Sequence, residues 1–139
     1  MPIDWGLESW GLKPAFSPDK VRALIVGSDP LLRNADRKML REAGFVDIVD
    51  ASNPITAIAS LRDRDIVLIE WADSAVELVR AIRAEAATAK MPIIIMSSAT
   101  DPMRVIEAKK AGAQTVMIRP LAGEAALPHI KQAVEAAAA

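Results

Sequence analysis

The sequence predicts an α/β fold in which a five-stranded parallel sheet is covered by helices on both faces. Short apolar runs alternate with segments of helical period along most of the chain, and this alternation is typical of strand–helix–strand units. The runs at 66–70 and 92–97 are almost continuously apolar, as is typical of central parallel strands. Proline and glycine mark helix ends, for example at Asp29-Pro30 and Gly44.

The first half of this pattern predicts strand, helix, strand and helix. The first strand covers about 21–27, Asp29 is the expected N-cap of the following helix, and the second strand covers about 45–49. The second helix opens at Ser52-Asn53-Pro54. The apolar residues expected to face the core are Leu31, Leu32, Ala35, Met39 and Leu40 in the first helix, and Ile55, Ile58, Ala59 and Leu61 in the second.

The second half predicts three more strands, each followed by a helix. These strands cover 66–70, 92–97 and about 115–119, and the last helix begins near Gly123. The carboxyl ends of parallel strands meet at one edge of the sheet, where open α/β sheets bind their ligands. The residues at those ends form the candidate site: Gly27, Ser28, Asp29, Glu70, Ser97, Ser98 and Arg119.

Composition narrows the possible functions. The 139 residues suffice for one domain, and the net charge of -1 gives no support for nucleic-acid or membrane-surface binding. The absence of cysteine excludes disulfides, thiolate metal ligands and a cysteine nucleophile. No apolar run approaches the roughly 20 residues of a membrane-spanning helix, and the first residues lack a signal-peptide pattern. We therefore expect a cytoplasmic protein.

Residues 1–20 differ from the rest of the chain and are predicted to be an N-terminal extension. They contain Trp5, Trp10 and Phe16 but no sustained hydrophobic period. Large aromatic side chains are favoured anchors of interfaces, so the extension is expected to pack on the domain itself or to bind a partner. The domain is predicted to cover 21–136, and 137–139 form a short C-terminal tail.

Residues 21–136 resemble the receiver domain of bacterial two-component response regulators, a CheY-like, flavodoxin-like fold. The resemblance rests on the strand–helix spacing, the run Pro92–Ser98, the sequence Ala111-Gly112-Ala113, and Arg119-Pro120. It implies the strand order 2-1-3-4-5. It also implies a site in which two acids after the first strand hold Mg²⁺ and an Asp at the end of the third accepts a phosphoryl group. A Ser or Thr and a Lys followed by a cis-proline complete that site.

The matching positions indicate a degenerate phosphorylation site. Gly27 and Ser28 stand where the acidic pair is expected, Glu70 replaces the acceptor Asp, and Arg119 replaces the Lys before Pro120. Mg²⁺ usually requires carboxylate ligands, so we expect neither metal nor cofactor. No nucleophile–base set indicates an enzyme. An atypical, non-phosphorylatable receiver that binds other proteins is the expected function.

Contacts within this site can also be predicted. The planar guanidinium of Arg119 is expected to pair with Glu70, because it can bind a carboxylate through two hydrogen bonds. Ser97 either donates to Glu70 or bonds to the backbone. Asp29 is expected to cap its helix, although a shifted turn would let it bind metal. Trp71 either covers the site or packs against a neighbouring helix.

The resemblance also implies partners and leaves two alternatives open. Val116 stands where receivers often carry a switching aromatic residue, and Arg104 and Lys109 lie on or near the face of the fourth helix, fifth strand and fifth helix. The expected partners are a histidine kinase, an output protein or another receiver, with a homodimer possible. One alternative is an active receiver that uses Glu70 and Asp29. The other is a nucleotide sensor that uses arginines of the rim, namely Arg33, Arg104 and Arg119.

Overall fold

The computed structural model describes residues 16–138, which form one five-stranded sheet and five α-helices. The strands are β1 (Arg22–Val26), β2 (Asp47–Ala51), β3 (Ile66–Glu70), β4 (Ile93–Ser97) and β5 (Thr115–Ile118). The helices are α1 (Pro30–Glu42), α2 (Pro54–Ser60), α3 (Ala75–Ala84), α4 (Pro102–Ala111) and α5 (Gly123–Ala138). Short 3-10 turns precede β1, at Pro18–Lys20, and follow α2, at Leu61–Asp63.

All strand pairs are parallel, in the order β2-β1-β3-β4-β5, so the predicted fold class and topology are confirmed. The register places Ile25 opposite Leu68, and Ile69 opposite Ile95. These central strands are apolar along both faces because helices cover both sides of a parallel sheet. In β3 and β4 the only polar side chains, Glu70 and Ser97, stand at the carboxyl end, which places the candidate site at that edge.

Alternate residues of each strand belong to two separate hydrophobic clusters. Leu24 and Val26 of β1 face the cluster that α2, α3 and α4 cover. Ala23 and Ile25 face the cluster that α1 and α5 cover. The same alternation holds for β3 and β4, so the position of a residue along a strand decides which side of the sheet it faces.

The first helix turns a different face to the core from the one predicted. Leu31 is 77% exposed and Ala35 is exposed, whereas Asp36 is only 3% exposed. The inward stripe contains Leu32, Asp36, Met39, Leu40 and Ala43, which lie on one side of a helix of 3.6 residues per turn. The prediction was right for Leu32, Met39 and Leu40 but wrong for Leu31 and Ala35, because it followed the apolar residues alone and left out a buried carboxylate.

The second helix differs from the prediction in Ile55, Ile58 and Ala59, which are exposed, whereas Leu61 is buried as predicted. Ile55 and Ile58 are 83% and 51% exposed, while Ala57 is fully buried and Leu61 of the following 3-10 turn is 4% exposed. Asn53 caps the helix by accepting a hydrogen bond from the N–H of Thr56. This cap fixes the phase of the helix, which turns Ala57 rather than the isoleucines toward the sheet.

The predicted second strand begins two residues too early. Gly44 has a φ of +103°, and the N–H groups of Gly44 and Phe45 donate to the carbonyls of Arg41 and Leu40. This arrangement closes the C-terminus of α1, so Phe45 belongs to the helix end and β2 starts at Asp47.

The N-terminal segment enters the domain beside this turn. The Phe16 ring meets the Phe45 ring edge to face, with 6.4 Å between centroids, and Phe16 packs against the cluster under α1 and α5. Trp5 and Trp10 lie outside the described residues. Within residues 16–138, no helix combines the length and the apolar character needed to cross a membrane.

Candidate functional site

A cleft of about 560 Å³ lies at the carboxyl edge of the sheet. Five predicted site residues line it: Gly27, Ser28, Asp29, Glu70 and Ser98. Its other lining residues include Trp71 and Arg104, with apolar walls from residues such as Leu32, Pro54 and Leu78. The loops after β1 to β4 all contribute, as expected for the crevice of an open parallel sheet.

Glu70 and Arg119 form the predicted ion pair, since Oε1 of Glu70 lies 2.5 Å from Nη1 of Arg119. Both side chains are largely buried, at 15% and 10% exposed. Among the described residues, none donates a directed hydrogen bond to Oε1, so this contact is electrostatic. The other carboxylate oxygen, Oε2, accepts a hydrogen bond of 3.1 Å from the N–H of Trp71.

The two-pronged side of the Arg119 guanidinium binds Asp36, a residue that the sequence analysis missed. Nε donates to Oδ1 at 2.9 Å and Nη2 donates to Oδ2 at 2.6 Å. The Asp36 side chain is only 4% exposed. The sequence did contain a signal, because an acid on the core-facing stripe of an amphipathic helix requires a charged or hydrogen-bonding partner.

Asp36, Arg119 and Glu70 thus form a buried cluster of two carboxylates and one guanidinium, which we call the Arg119 triad. Burial raises the pKa of Asp36, and Arg119 offsets only part of this effect. Burial also raises the pKa of Glu70, against the attraction of Arg119 and with a further increase from the charge of Asp36. For Arg119, burial favours a lower pKa, but the hydrogen bonds and charge of Asp36 and the charge of Glu70 outweigh it and raise the pKa.

The sheet explains why these three side chains meet. Glu70 follows Ile66 and Leu68 at intervals of two along β3, and both face the cluster under α1 and α5. Arg119 likewise follows Met117 at the end of β5. Asp36 lies on the face of α1 that covers the same side. All three therefore project to one side of the sheet.

Ser97 does not donate to Glu70. Its hydroxyl donates to the carbonyl of Ala99 at 2.9 Å and accepts from the N–H of Ala99 at 3.2 Å. Ser97 continues the alternation of Ile93 and Ile95, which face the opposite side of the sheet from Glu70. The neighbouring Ser98 hydroxyl accepts from Nη1 of Arg119 at 3.3 Å. The peptide bond between Arg119 and Pro120 is cis, as the resemblance implies.

The residues after β1 do not fit Mg²⁺. Gly27 has no side chain, and Asp29 accepts a hydrogen bond of 2.8 Å from the N–H of Leu31 as the cap of α1. The carbonyl of Gly27 is itself bound, at 2.6 Å, by Nη1 of Arg33. Within the part of the chain that the structure describes, no group of three or more acidic or histidine side chains is placed to hold a metal ion.

Trp71 lines the cleft and also packs against the core under α2, α3 and α4. The Arg104 guanidinium lies 5.3 Å from the ring centroid, within range of a cation–π contact. Nε of Arg104 is 3.6 Å from a carboxylate oxygen of Asp101. Arg104 is thus held at one side of the cleft by a ring and a carboxylate.

The remaining candidate interaction residues lie away from the triad. Val116 is partly buried and packs on the core, whereas Lys109 is exposed on α4. Two large apolar side chains of α4, Met103 and Ile106, are 61% and 45% exposed.

Known proteins resemble this chain in sequence and in fold. No family model matches it. It is 23% identical over 120 residues to chemotaxis protein CheY of Pseudomonas aeruginosa, covering 83% of this chain and 97% of that protein. It is 26% identical over 105 residues to chemotaxis protein CheY-3 of Vibrio cholerae, covering 72% and 81% of the two chains.

Solved structures share the fold over most of their length. A putative response regulator from Chloroflexus aurantiacus matches with a TM-score of 0.76 and 19% identity, covering 83% of this chain and 98% of that one. A sensor protein from Polaromonas matches with a TM-score of 0.75 and 20% identity, covering 85% and 98%. The chain is thus similar in sequence to CheY chemotaxis proteins, and the solved structures show that it shares the fold of a response regulator and of a sensor protein.

Proposed function

We propose that this chain is an atypical receiver domain that takes up no phosphoryl group and acts as a protein-interaction module in bacterial signal transduction. The observation that carries the proposal is the Arg119 triad. Arg119 stands where receivers hold the lysine of their phosphorylation site, and its guanidinium is bound by Asp36 and contacted by Glu70. The positive charge of Arg119, which would attract a phosphoryl group, is already neutralised by these two carboxylates.

The end of β1 supports the same proposal. Phosphoryl transfer needs a divalent metal to neutralise the charge that spreads over the phosphoryl oxygens. Gly27 and Ser28 supply no carboxylate, and Arg33 binds the carbonyl of Gly27. A guanidinium thus lies beside the position at which metal ligands are expected.

The two alternatives have less support. An active receiver that uses Asp29 as a metal ligand would have to break the cap of α1, in which Asp29 accepts from Leu31. A nucleotide sensor would need free arginines, but Arg33 binds Gly27 and Asp50, and Arg104 pairs with Asp101. Arg119 is bound by Asp36.

In this proposal the conformation of the domain is set by its own side chains or by a partner rather than by a phosphorylation cycle. The candidate binding surfaces are the face of α4, β5 and α5, with Arg104, Lys109 and Val116, and the N-terminal aromatic residues Trp5, Trp10 and Phe16. The proposed partners are a histidine kinase, an output protein, another receiver or a second copy of this chain.

Partner capture with and without acetyl phosphate and Mg²⁺ tests the proposal. The full chain is used as bait in an extract of its native cell, and bound proteins are identified by mass spectrometry. We expect the same specific partner in both conditions, because no phosphorylated state exists to change the surface. A partner that binds only when acetyl phosphate and Mg²⁺ are present would overturn the proposal.

A further inference from the structure

We propose that Asp36 is an intramolecular ligand of Arg119, which keeps an oxyanion-binding guanidinium at the carboxyl edge closed to phosphate-like anions. This inference rests on the proposed function and names the residue that regulates the same site. It assigns Asp36 as a positioning residue, since Asp36 acts through Arg119.

The donors of Arg119 are all in use. Nε and Nη2, which form one two-pronged side of the guanidinium, donate to the two oxygens of Asp36. The remaining nitrogen, Nη1, contacts Glu70 at 2.5 Å and donates to Ser98 at 3.3 Å. All three nitrogens are therefore engaged. Asp36 occupies one of the two sides on which a guanidinium binds a carboxylate or a phosphate through two parallel hydrogen bonds. On the other side, Nη1 is engaged by Glu70 and Ser98.

The pair of Arg119 and Asp36 is buried, unlike a similar pair at the surface. Arg22 and Asp65 form a pair with the same two-pronged geometry, at 3.0 Å for both side-chain hydrogen bonds, but their side chains are 47% and 35% exposed. The Arg119 and Asp36 side chains are 10% and 4% exposed. Water and solvent anions compete freely for Arg22, whereas an anion reaches Arg119 only if Asp36 gives way.

Asp36 occupies a buried position on α1. Its neighbours on the core-facing stripe, Met39 and Leu40, are 5% and 0% exposed. An apolar residue at such a position is often as stable as a buried ion pair or more so. Packing alone therefore does not account for a carboxylate here, whereas binding the guanidinium does.

An anion would reach Arg119 from the cleft of about 560 Å³, past Ser98 and Glu70, which line it. Neither Arg119 nor Asp36 lines this cleft, and Nη1 is the nitrogen of Arg119 that contacts Ser98 and Glu70. Once the carboxylates of the triad lose their charge, a phosphate that enters the cleft would bind on the side of Nη1.

The test uses inorganic phosphate as the probe and the Nε–H resonance of Arg119 in a ¹⁵N–¹H spectrum of the full chain as the readout. Phosphate is titrated at constant ionic strength into the wild type, Asp36→Asn/Glu70→Gln and Asp65→Asn. The last variant is the matched control, because it frees Arg22 from the exposed pair. We expect the double variant to bind phosphate more than about tenfold tighter than the wild type, the effect of gaining hydrogen bonds between charged groups. The control should bind phosphate at Arg119 as weakly as the wild type.

A folded double variant with no gain in affinity at Arg119 would overturn the proposal, and so would saturable binding of phosphate to Arg119 in the wild type. If Asp36→Asn/Glu70→Gln does not fold, Asp36→Leu/Glu70→Gln replaces it, since leucine matches the apolar surroundings of position 36. In either case, the wild-type titration shows whether Arg119 is closed to phosphate in the native protein. Acyl phosphate on the wild-type chain would instead contradict the proposed function, so the two failures are distinguishable.

Discussion

Arg119 and Asp36 are joined by two hydrogen bonds, from Nε to Oδ1 at 2.9 Å and from Nη2 to Oδ2 at 2.6 Å, although 83 positions separate them in the chain. The pair fastens α1 to the segment that follows β5, on the side of the sheet that α5 also covers. Glu70 at the end of β3 contacts the same guanidinium. One side chain therefore connects three elements at the carboxyl edge.

Replacing Arg119 by alanine should destabilise the domain strongly. The change leaves Asp36 and Glu70 buried without their cation, and breaking a buried ion pair costs about 3–5 kcal/mol. We expect the lower end, about 3 kcal/mol, because the Glu70 side chain keeps 15% of its surface exposed. Urea unfolding followed by circular dichroism measures the change. Arg22→Ala, which breaks the exposed pair with Asp65, is the control and should change stability much less. Equal losses of unfolding free energy in Arg119→Ala and Arg22→Ala would contradict a buried triad.

The stability of the domain should depend on the ionisation of Glu70. Its pKa is raised in the folded state, first by burial and also by the charge of Asp36, so the folded protein holds the proton more tightly than the unfolded chain. Glu70 therefore favours folding most below its ordinary pKa of about 4.3. This contribution is lost as the pH rises through the folded pKa. The stability of Glu70→Gln relative to the wild type should accordingly increase as the pH rises from about 4.

For Asp65 we expect stability to change with pH in the opposite direction, so this residue serves as the control for the measurement. Burial favours a higher pKa for Asp65, but hydrogen bonds and the charge of Arg22 outweigh it and lower the pKa. Its contribution to stability is present above its ordinary pKa and lost as the pH falls. Urea unfolding across the acid range should show Asp65→Asn losing stability relative to the wild type as the pH rises. Parallel curves for the two variants would contradict the assignment for Glu70.

Two truncations should separate the roles of the N-terminal residues. Deleting 1–20 removes Phe16 and its edge-to-face contact with Phe45, whereas deleting 1–15 leaves this contact in place. We expect the longer deletion to lower the thermal unfolding midpoint more, because it exposes apolar surface of the cluster under α1 and α5. Calorimetry measures both midpoints. If the two deletions had the same effect, Phe16 would contribute nothing to the fold.

Restoring the acceptor alone should not restore phosphorylation. In Glu70→Asp, Gly27 and Ser28 still supply no carboxylate for a metal, and Asp36 still holds Arg119. Adding Gly27→Asp and Ser28→Asp supplies two ligands, although a Cβ at position 27 lies 3.1 Å from the Cβ of residue 70 and requires a small adjustment. We expect Mg²⁺ titrations followed by NMR to show saturable binding only in the triple variant. Saturable binding in Glu70→Asp alone would contradict this expectation.

The fold could be predicted because each strand and helix is indicated by its own local sequence, and because the elements all indicate the same fold. Each strand is a short apolar run, and the alternation of strands and helices leaves few arrangements other than a parallel sheet. The face that each helix buries was less predictable. Ile55 and Leu31 are apolar yet exposed, at 83% and 77%, because caps and helix phase decide orientation and apolar content alone does not.

The sequence predicted one contact of the candidate site, between Glu70 and Arg119, and missed the contact of Arg119 with Asp36. The predicted strand ends place Gly27, Glu70 and Arg119 at one edge of the sheet. The opposite charges of Glu70 and Arg119 predict that they pair. Asp36 was missed because its partner lies 83 positions away and on an element that only the folded sheet brings near. The sequence left open whether Ser97 donates to Glu70 or bonds to the backbone, and the alternation along β4, which turns its side chain to the opposite side, favours the backbone.

The most direct test of the account is the intact mass of the wild-type chain after incubation with acetyl phosphate and Mg²⁺. Wild type, the triple variant Gly27→Asp/Ser28→Asp/Glu70→Asp and Arg119→Ala are treated in parallel and kept cold at neutral pH to preserve acyl phosphates. The account predicts that the wild type gains no phosphoryl group, because its site holds no carboxylate pair for the metal and its cation is bound by Asp36. A phosphoryl group on the wild type, located by peptide mapping to Glu70 or Asp29, would contradict it.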